Sequence, residues 1–173
     1  MNRREFVKAC SAAALAAAAL PRTAAAAATP SKPRRPYVLG ADISWIPEDE
    51  AAGAVYYDRG IKKDIFDILA SYKFNFIRLR VFVNPKAPGG YAARQSEAFC
   101  DIPHTVAMAK RAKAAGMGVL ATCHLGDTWT SPGKQAKPAA WADLDFAGLQ
   151  KAVHQYVGDT TRALVDAGVT PEM

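Results

Sequence analysis

Apolar and polar positions alternate between two periods along this chain. Residues 37–44, YVLGADIS, form a short apolar run containing glycine, which predicts a buried strand. Residues 62–72, KKDIFDILASY, place Ile65, Ile68, Leu69 and Tyr72 on one helical face. Residues 74–83, FNFIRLRVFV, then switch to a period of two. Ile77, Leu79 and Val81 face one way, and Phe76, Arg78 and Arg80 the other, which predicts the strongest strand of the chain. A helix is expected over 101–117, with Asp101 as its cap, Pro103 in its first turn and Gly116 as a left-handed stop. A third strand follows at 117–124. The longest helix, about 146–167, gathers Phe146, Leu149, Val153, Tyr156, Val157, Thr160 and Leu164 on one face. Gly158 weakens its middle by about 1 kcal/mol relative to alanine.

Strand and helix thus alternate three times, which predicts α/β architecture with a parallel sheet. Two long loops, 84–100 and 125–144, both follow strands. In a (β/α)8 barrel such loops build the active-site face. A whole barrel needs about 250 residues, so three βα units are a piece of such a fold, with the first and third strands left as open edges.

Composition changes the picture at the N-terminus. MNRREFVK pairs Arg3 with Arg4, an apolar run follows at 9–20, and TAAAAAT offers small-residue cleavage positions. This is the layout of an export signal, and the arginine pair resembles the twin-arginine type. The expected division is a signal over 1–28, a Pro-rich basic linker over 29–36 and the folded unit over 37–173. The protein is expected to be exported, periplasmic or extracellular. The apolar run is too short for stable membrane insertion, which takes about 20 residues. The formal charge of +6 falls entirely within residues 1–36, so the rest of the chain is neutral and offers no basic face for nucleic acid. Cys10 leaves with the signal. Cys100 and Cys123 remain, and either form a disulfide or stay as buried thiols.

Several residues carry candidate chemistry. Asp42 ends the first strand, where a carboxylate is costly to bury without a partner. It reads as a group orienting a ligand or a catalytic neighbour. Arg78 and Arg80 lie on the inward face of the second strand, and buried guanidiniums require anions. Asp42 balances one of them, leaving the other to a carboxylate outside this chain. His124, Asp127 and Trp129 follow the third strand and form a plausible sugar platform, with the indole under a pyranose face and the aspartate accepting from neighbouring hydroxyls. Trp45 and Trp141 would add stacking surface. His124 and Asp127 are too few ligands for a metal. APGGY lacks the spacing of a phosphate loop, and no G-x-S-x-G nucleophile occurs. No cofactor is expected.

GADIS, AAGAVYYD, FNFIRLRVF, AKRAKAAGM, PGKQAKPAAW and DAGVTPEM together resemble glycoside hydrolase family 53, the arabinogalactan endo-β-1,4-galactanases. The resemblance spans about 38–173. It implies a (β/α)8 barrel, here with about its first three βα units, and retaining hydrolysis of β-1,4-galactan. It also implies that Asp42 is the aspartate of the first-strand motif and that Arg78 contacts the nucleophile. His124, Asp127 and Trp129 correspond to the strand-three H-x-x-D-x-W stretch. Cys123, Leu125 and Gly126 stand where the family usually has Phe, Tyr and Ser, which removes two hydroxyls from the sugar side. In the family the acid/base glutamate follows strand four and the nucleophile follows strand seven. Both positions lie beyond Met173, so this chain alone is expected to be inactive, and the missing C-terminal portion is a candidate partner. The alternative is a non-catalytic sugar-binding or assembly module completed by a second chain.

Overall fold

A computed structural model describes residues 37–172 of the protein. The expected signal and linker, 1–28 and 29–36, lie outside the described residues.

The alternation at 74–83 becomes β4 (Phe76–Val81), the central strand of a parallel three-stranded sheet. Its partners are β1 (Gly40–Asp42) on one side and β5 (Gly118–Cys123) on the other. The register sets Asp42 beside Arg78, and Arg80 beside Thr122. Ile77, Leu79 and Val81 point to the helix side and are 0%, 1% and 0% exposed. The opposite face carries Phe76 and the two arginines, as the period of two requires.

The helices cover the aliphatic face. α3 (Ile102–Ala114) is capped by the Asp101 carboxylate, which accepts from His104 N at 2.9 Å. It ends before Gly116, whose φ of 73° is the left-handed stop. Met108, Ala109 and Ala112 pack with Ile77, Leu79, Val119 and Leu164. α4 (Phe146–Asp166) is capped by Asp145 through Gly148 N at 2.7 Å. A second cluster joins Val81, Trp141 and Tyr156, and Tyr156 donates its hydroxyl to the Val81 carbonyl at 2.7 Å.

Three expectations change. Residues 62–72 are not one helix. β2 (Tyr56–Asp58) and β3 (Ile61–Lys63) form an antiparallel hairpin, and α2 (Ile65–Ser71) starts only after Asp64. Arg59 and Gly60 both take positive φ, 50° and 81°, as a two-residue hairpin turn demands. Asp64 then caps α2 through Phe66 N at 2.7 Å. That start rotates the helix so that Phe66 is buried, at 3% exposure, while Tyr72 stands at 51%. The stripe of α4 is likewise only partly used. Tyr156, Thr160 and Leu164 are buried, but Phe146 is 75% and Val157 39% exposed. Finally, the loop after α4 turns back against the sheet, where Glu172 N donates to Val119 O at 3.1 Å on the outer edge of β5.

A short α1 (Ile46–Ala51) precedes the hairpin. Arg111 of α3 ties α1 to the cap of α2, reaching Glu50 at 2.7 Å and Asp64 at 2.9 Å.

Candidate functional site

The C-terminal ends of β1, β4 and β5 converge on one charged cluster. Asp42 closes β1. Its Oδ1 accepts from the Ser44 hydroxyl at 2.7 Å, and Ser44 Oγ in turn accepts from Arg80 N at 2.9 Å. A serine two residues past a strand end thus pins β1 to β4. The other oxygen, Oδ2, lies 2.6 Å from Arg80 Nε and 3.4 Å from Arg78 Nη1. The Arg80 approach is off the N–H axis, so it is an ion pair rather than an aligned hydrogen bond. Arg78 Nε donates to Thr122 Oγ1 at 3.0 Å, which fixes the guanidinium against β5. The expectation that Asp42 serves one arginine therefore changes. One carboxylate faces both, because adjacent inward positions of β4 lie on the same side of β1.

His124 continues β5, its backbone N–H donating to Val81 O at 2.8 Å. Burial lowers its pKa, and the charges of Arg80 and then Arg78 lower it further against the opposing Asp42. The ring is therefore held neutral where an ordinary histidine is already titrating. Its Nε2 is buried and has no hydrogen-bond partner among the described residues.

Asp127 is 7% exposed. Oδ1 accepts from Asn84 N at 2.9 Å and Oδ2 from Ala139 N at 2.7 Å. Its own carbonyl accepts from Tyr91 N at 3.0 Å. Both carboxylate oxygens are thus taken up in tying the loop 84–100 to the loop 125–144. In this geometry the Asp127 carboxylate holds the two loops in place beside the strand ends.

Trp129 stacks on Trp45 with ring centroids 4.2 Å apart and an interplanar angle of 14°. The Arg80 guanidinium lies 5.0 Å from the Trp129 ring and 5.6 Å from that of Trp45. The pair spans the ends of β1 and β5 above β4. Trp141, by contrast, is a core residue at 8% exposure, and adds no stacking surface.

Cys100 and Cys123 are both free, so the disulfide does not form. Their thiols serve different sides of the sheet. Cys100 Sγ contacts Ser44 O at 3.6 Å near the strand mouth, whereas Cys123 packs with Val81 under α4. Burial pushes the Cys100 thiol up to about 11 and raises that of Cys123, so both are unreactive.

Three residues of this region were not legible from the pattern: Ser44, Thr122 and Tyr91. Tyr91 accepts through its hydroxyl from Phe99 N at 3.0 Å and Cys100 N at 3.1 Å, bracing the loop from inside. Only the placement of Ser44 two residues after Asp42 carried a local signal.

The profile of Glycosyl hydrolase family 53 matches residues 38–173. Among curated proteins, the arabinogalactan endo-β-1,4-galactanase of Cellvibrio japonicus is 36% identical over 80% of this chain and 35% of its own length. The endo-β-1,4-galactanase of Bacillus subtilis is 32% identical over 77% of this chain and 31% of its own. The GH53 catalytic domain of Ignisphaera aggregans superposes with a TM-score of 0.70 at 34% identity, covering 80% of this chain and 39% of that domain. A structure of fungal β-1,4-galactanases gives a TM-score of 0.67 at 36% identity and 37% coverage of its chain. The chain therefore spans about a third of the length of the curated relatives it matches, with coverages of 35% and 31%. Its three parallel strands and covering helices are a portion of a (β/α)8 barrel, the strand ends forming the face where such barrels carry their sites. On the family match across 38–173 and the shared fold, the chain belongs to glycosyl hydrolase family 53.

Proposed function

We propose that this chain forms one wall of an exported endo-β-1,4-galactanase that hydrolyses β-1,4-galactan with retention of configuration. The observation that carries this reading is the cluster at the strand ends. Asp42, Arg78, Arg80, His124 and the two stacked indoles converge there, in a chain matched along 38–173 by a glycosidase family.

Each group has a role in this reading. Arg78, held by Thr122 and Asp42 with 40% of its side chain still exposed, contacts the nucleophile carboxylate. Neutral His124 stands edge-on to Trp129, with ring centroids 5.6 Å apart, and braces the indole platform from the β5 side. The indoles supply the apolar face for a pyranose. Retaining hydrolysis uses two carboxyl groups about 5–5.5 Å apart, one protonating the leaving oxygen and one attacking the anomeric carbon. Asp42 is committed to two guanidiniums and Asp127 to two backbone amides, so neither is free for either task. We assign the pair to the remaining βα units of the family barrel. Export is assigned to Arg3-Arg4 and the apolar run behind them.

The test is hydrolysis itself. The 173-residue chain should bind β-1,4-galactan without releasing reducing ends, and release by the purified chain would overturn the assignment of the carboxyl pair. Exchange of Arg3→Lys together with Arg4→Lys should block translocation of a fused folded reporter; unimpaired translocation would overturn the twin-arginine assignment. A second reading, an assembly module completed by another chain, is favoured by the exposed Phe146 and Val157 on α4. Co-expression with the five remaining units of a family member should then restore hydrolysis, and hydrolysis no greater than that of either piece alone would remove this second reading.

A further inference from the structure

We infer that Trp45, rather than Trp129, presents the face on which a galactose ring stacks, with Trp129 serving as its backing plane. This rests on the galactan-facing role proposed above. Trp129 is enclosed by aromatic rings. Trp45 covers one face at 4.2 Å, Phe82 meets it edge-to-face at 4.7 Å, and His124 stands at 5.6 Å and Tyr91 at 6.0 Å. Trp45 has a single aromatic neighbour among the described residues, Trp129, and is 38% exposed. Of the two stacked indoles, Trp45 is the more exposed.

The local backbone makes no capping demand on this side chain. Trp45 occupies the N-cap of α1 and makes no side-chain cap hydrogen bond. Its backbone is helical, with φ −86° and ψ −14°, and Pro47 in the first turn has no N–H to cap, so the side chain has no capping task. The position holds a large apolar ring turned towards the strand mouth, where it stacks over the Arg80 guanidinium at 5.6 Å. Arg80 bridges the two indoles, and Asp42 fixes Arg80, so the ion cluster sets the orientation of the platform.

The chemistry selects the sugar. The axial C4 hydroxyl of galactose gathers C3–H, C4–H and C5–H on one side of the ring, giving an apolar patch that suits an indole plane. Glucose, with an equatorial C4 hydroxyl, divides its C–H groups between both faces. Trp45 is therefore a residue of sugar selectivity, distinct from the groups that hold the nucleophile.

Calorimetric titration of the 173-residue chain with β-1,4-galactotetraose, and with cellotetraose as the control, tests this. Galactotetraose should bind more tightly than cellotetraose. Trp45→Ala should weaken galactotetraose binding about tenfold, the loss expected of one aromatic contact, and Trp45→Phe should recover most of it. The circular-dichroism exciton couplet of the stacked indoles should persist at saturation, since the sugar adds to the outside of the pair. Parental affinity in both variants, or loss of the couplet on binding, would overturn the inference by showing that Trp129 takes the sugar. No binding of either oligosaccharide to the parent chain would instead overturn the sugar-facing reading itself, and this inference with it.

Discussion

Asp42 Oδ2 stands 2.6 Å from Arg80 Nε, and the same oxygen is the anion for Arg78 at 3.4 Å. The pair joins the first strand to the second at the height where a barrel carries its site. Removing its charge leaves two inward guanidiniums facing one another. Loss of one partner of a fully buried pair costs roughly 3–5 kcal/mol. Here the Asp42 and Arg80 side chains are each 24% exposed, so water screens part of the loss. Asp42→Asn is expected to lower unfolding stability by about 1–3 kcal/mol in urea titration. It should also lower the His124 pKa further, because Asp42 is the group that opposes the two arginines. An unchanged His124 titration by NMR would contradict the geometry.

Asp127 makes a different prediction. Its carboxylate accepts from backbone amides on two loops, Asn84 N and Ala139 N. Asp127→Asn preserves the shape but turns one acceptor into a donor facing an N–H. One buried donor is left unpaired, at a cost of about 1–3 kcal/mol. Limited proteolysis should show faster cleavage within 84–100 and 125–144 while the core strands stay protected. Cleavage confined to the termini would remove the stapling role.

Two glycines should respond in opposite directions. A Cβ on Gly118 would lie 2.5 Å from Phe76 Cζ, and Phe76 is only 8% exposed. Gly118→Ala is expected to destabilise by about 1–3 kcal/mol through overpacking. A Cβ on Gly158 meets nothing within 4 Å, and the residue lies inside α4. Gly158→Ala should stabilise by up to about 1 kcal/mol. Denaturation midpoints of the two variants check the sign of each.

How much of this was legible depends on the range of the interaction. The alternation of Ile77, Leu79 and Val81 was readable because a strand's side-chain period is local, and so was the cap Asp101 before its helix. The hairpin was obscured because a helical pattern runs on from Lys62 with no break after Gly60, although Arg59-Gly60 held the turn. The role of Asp127 was out of reach. A loop aspartate is spelled identically whether it faces sugar or an amide 43 residues away. The three tryptophans divide in the same manner. Trp141 is claimed by Val81 and Tyr156 in the core, and Trp45 is left to the surface, by contacts no window of sequence contains.

The two histidines flanking the loops give pH dependences of opposite sign. His124 has a folded pKa depressed first by burial and then by Arg80 and Arg78. The unfolded chain therefore binds a proton that the folded one refuses. The stability it contributes is complete above an unfolded value of about 6.5, and is lost as pH falls through the folded value. For His104, burial pulls down, but its contacts with Asp101 at 2.7 Å and Glu97 at 3.1 Å outweigh burial and raise the pKa. Its contribution is complete below about 6.5 and is lost as pH rises through the folded value. His124→Gln should flatten the acid side of the stability profile, and His104→Gln the alkaline side. Urea midpoints measured across about pH 5–9 resolve both limbs. Changes on the same limb in both variants would contradict the arrangement, since one ring faces guanidiniums and the other faces carboxylates.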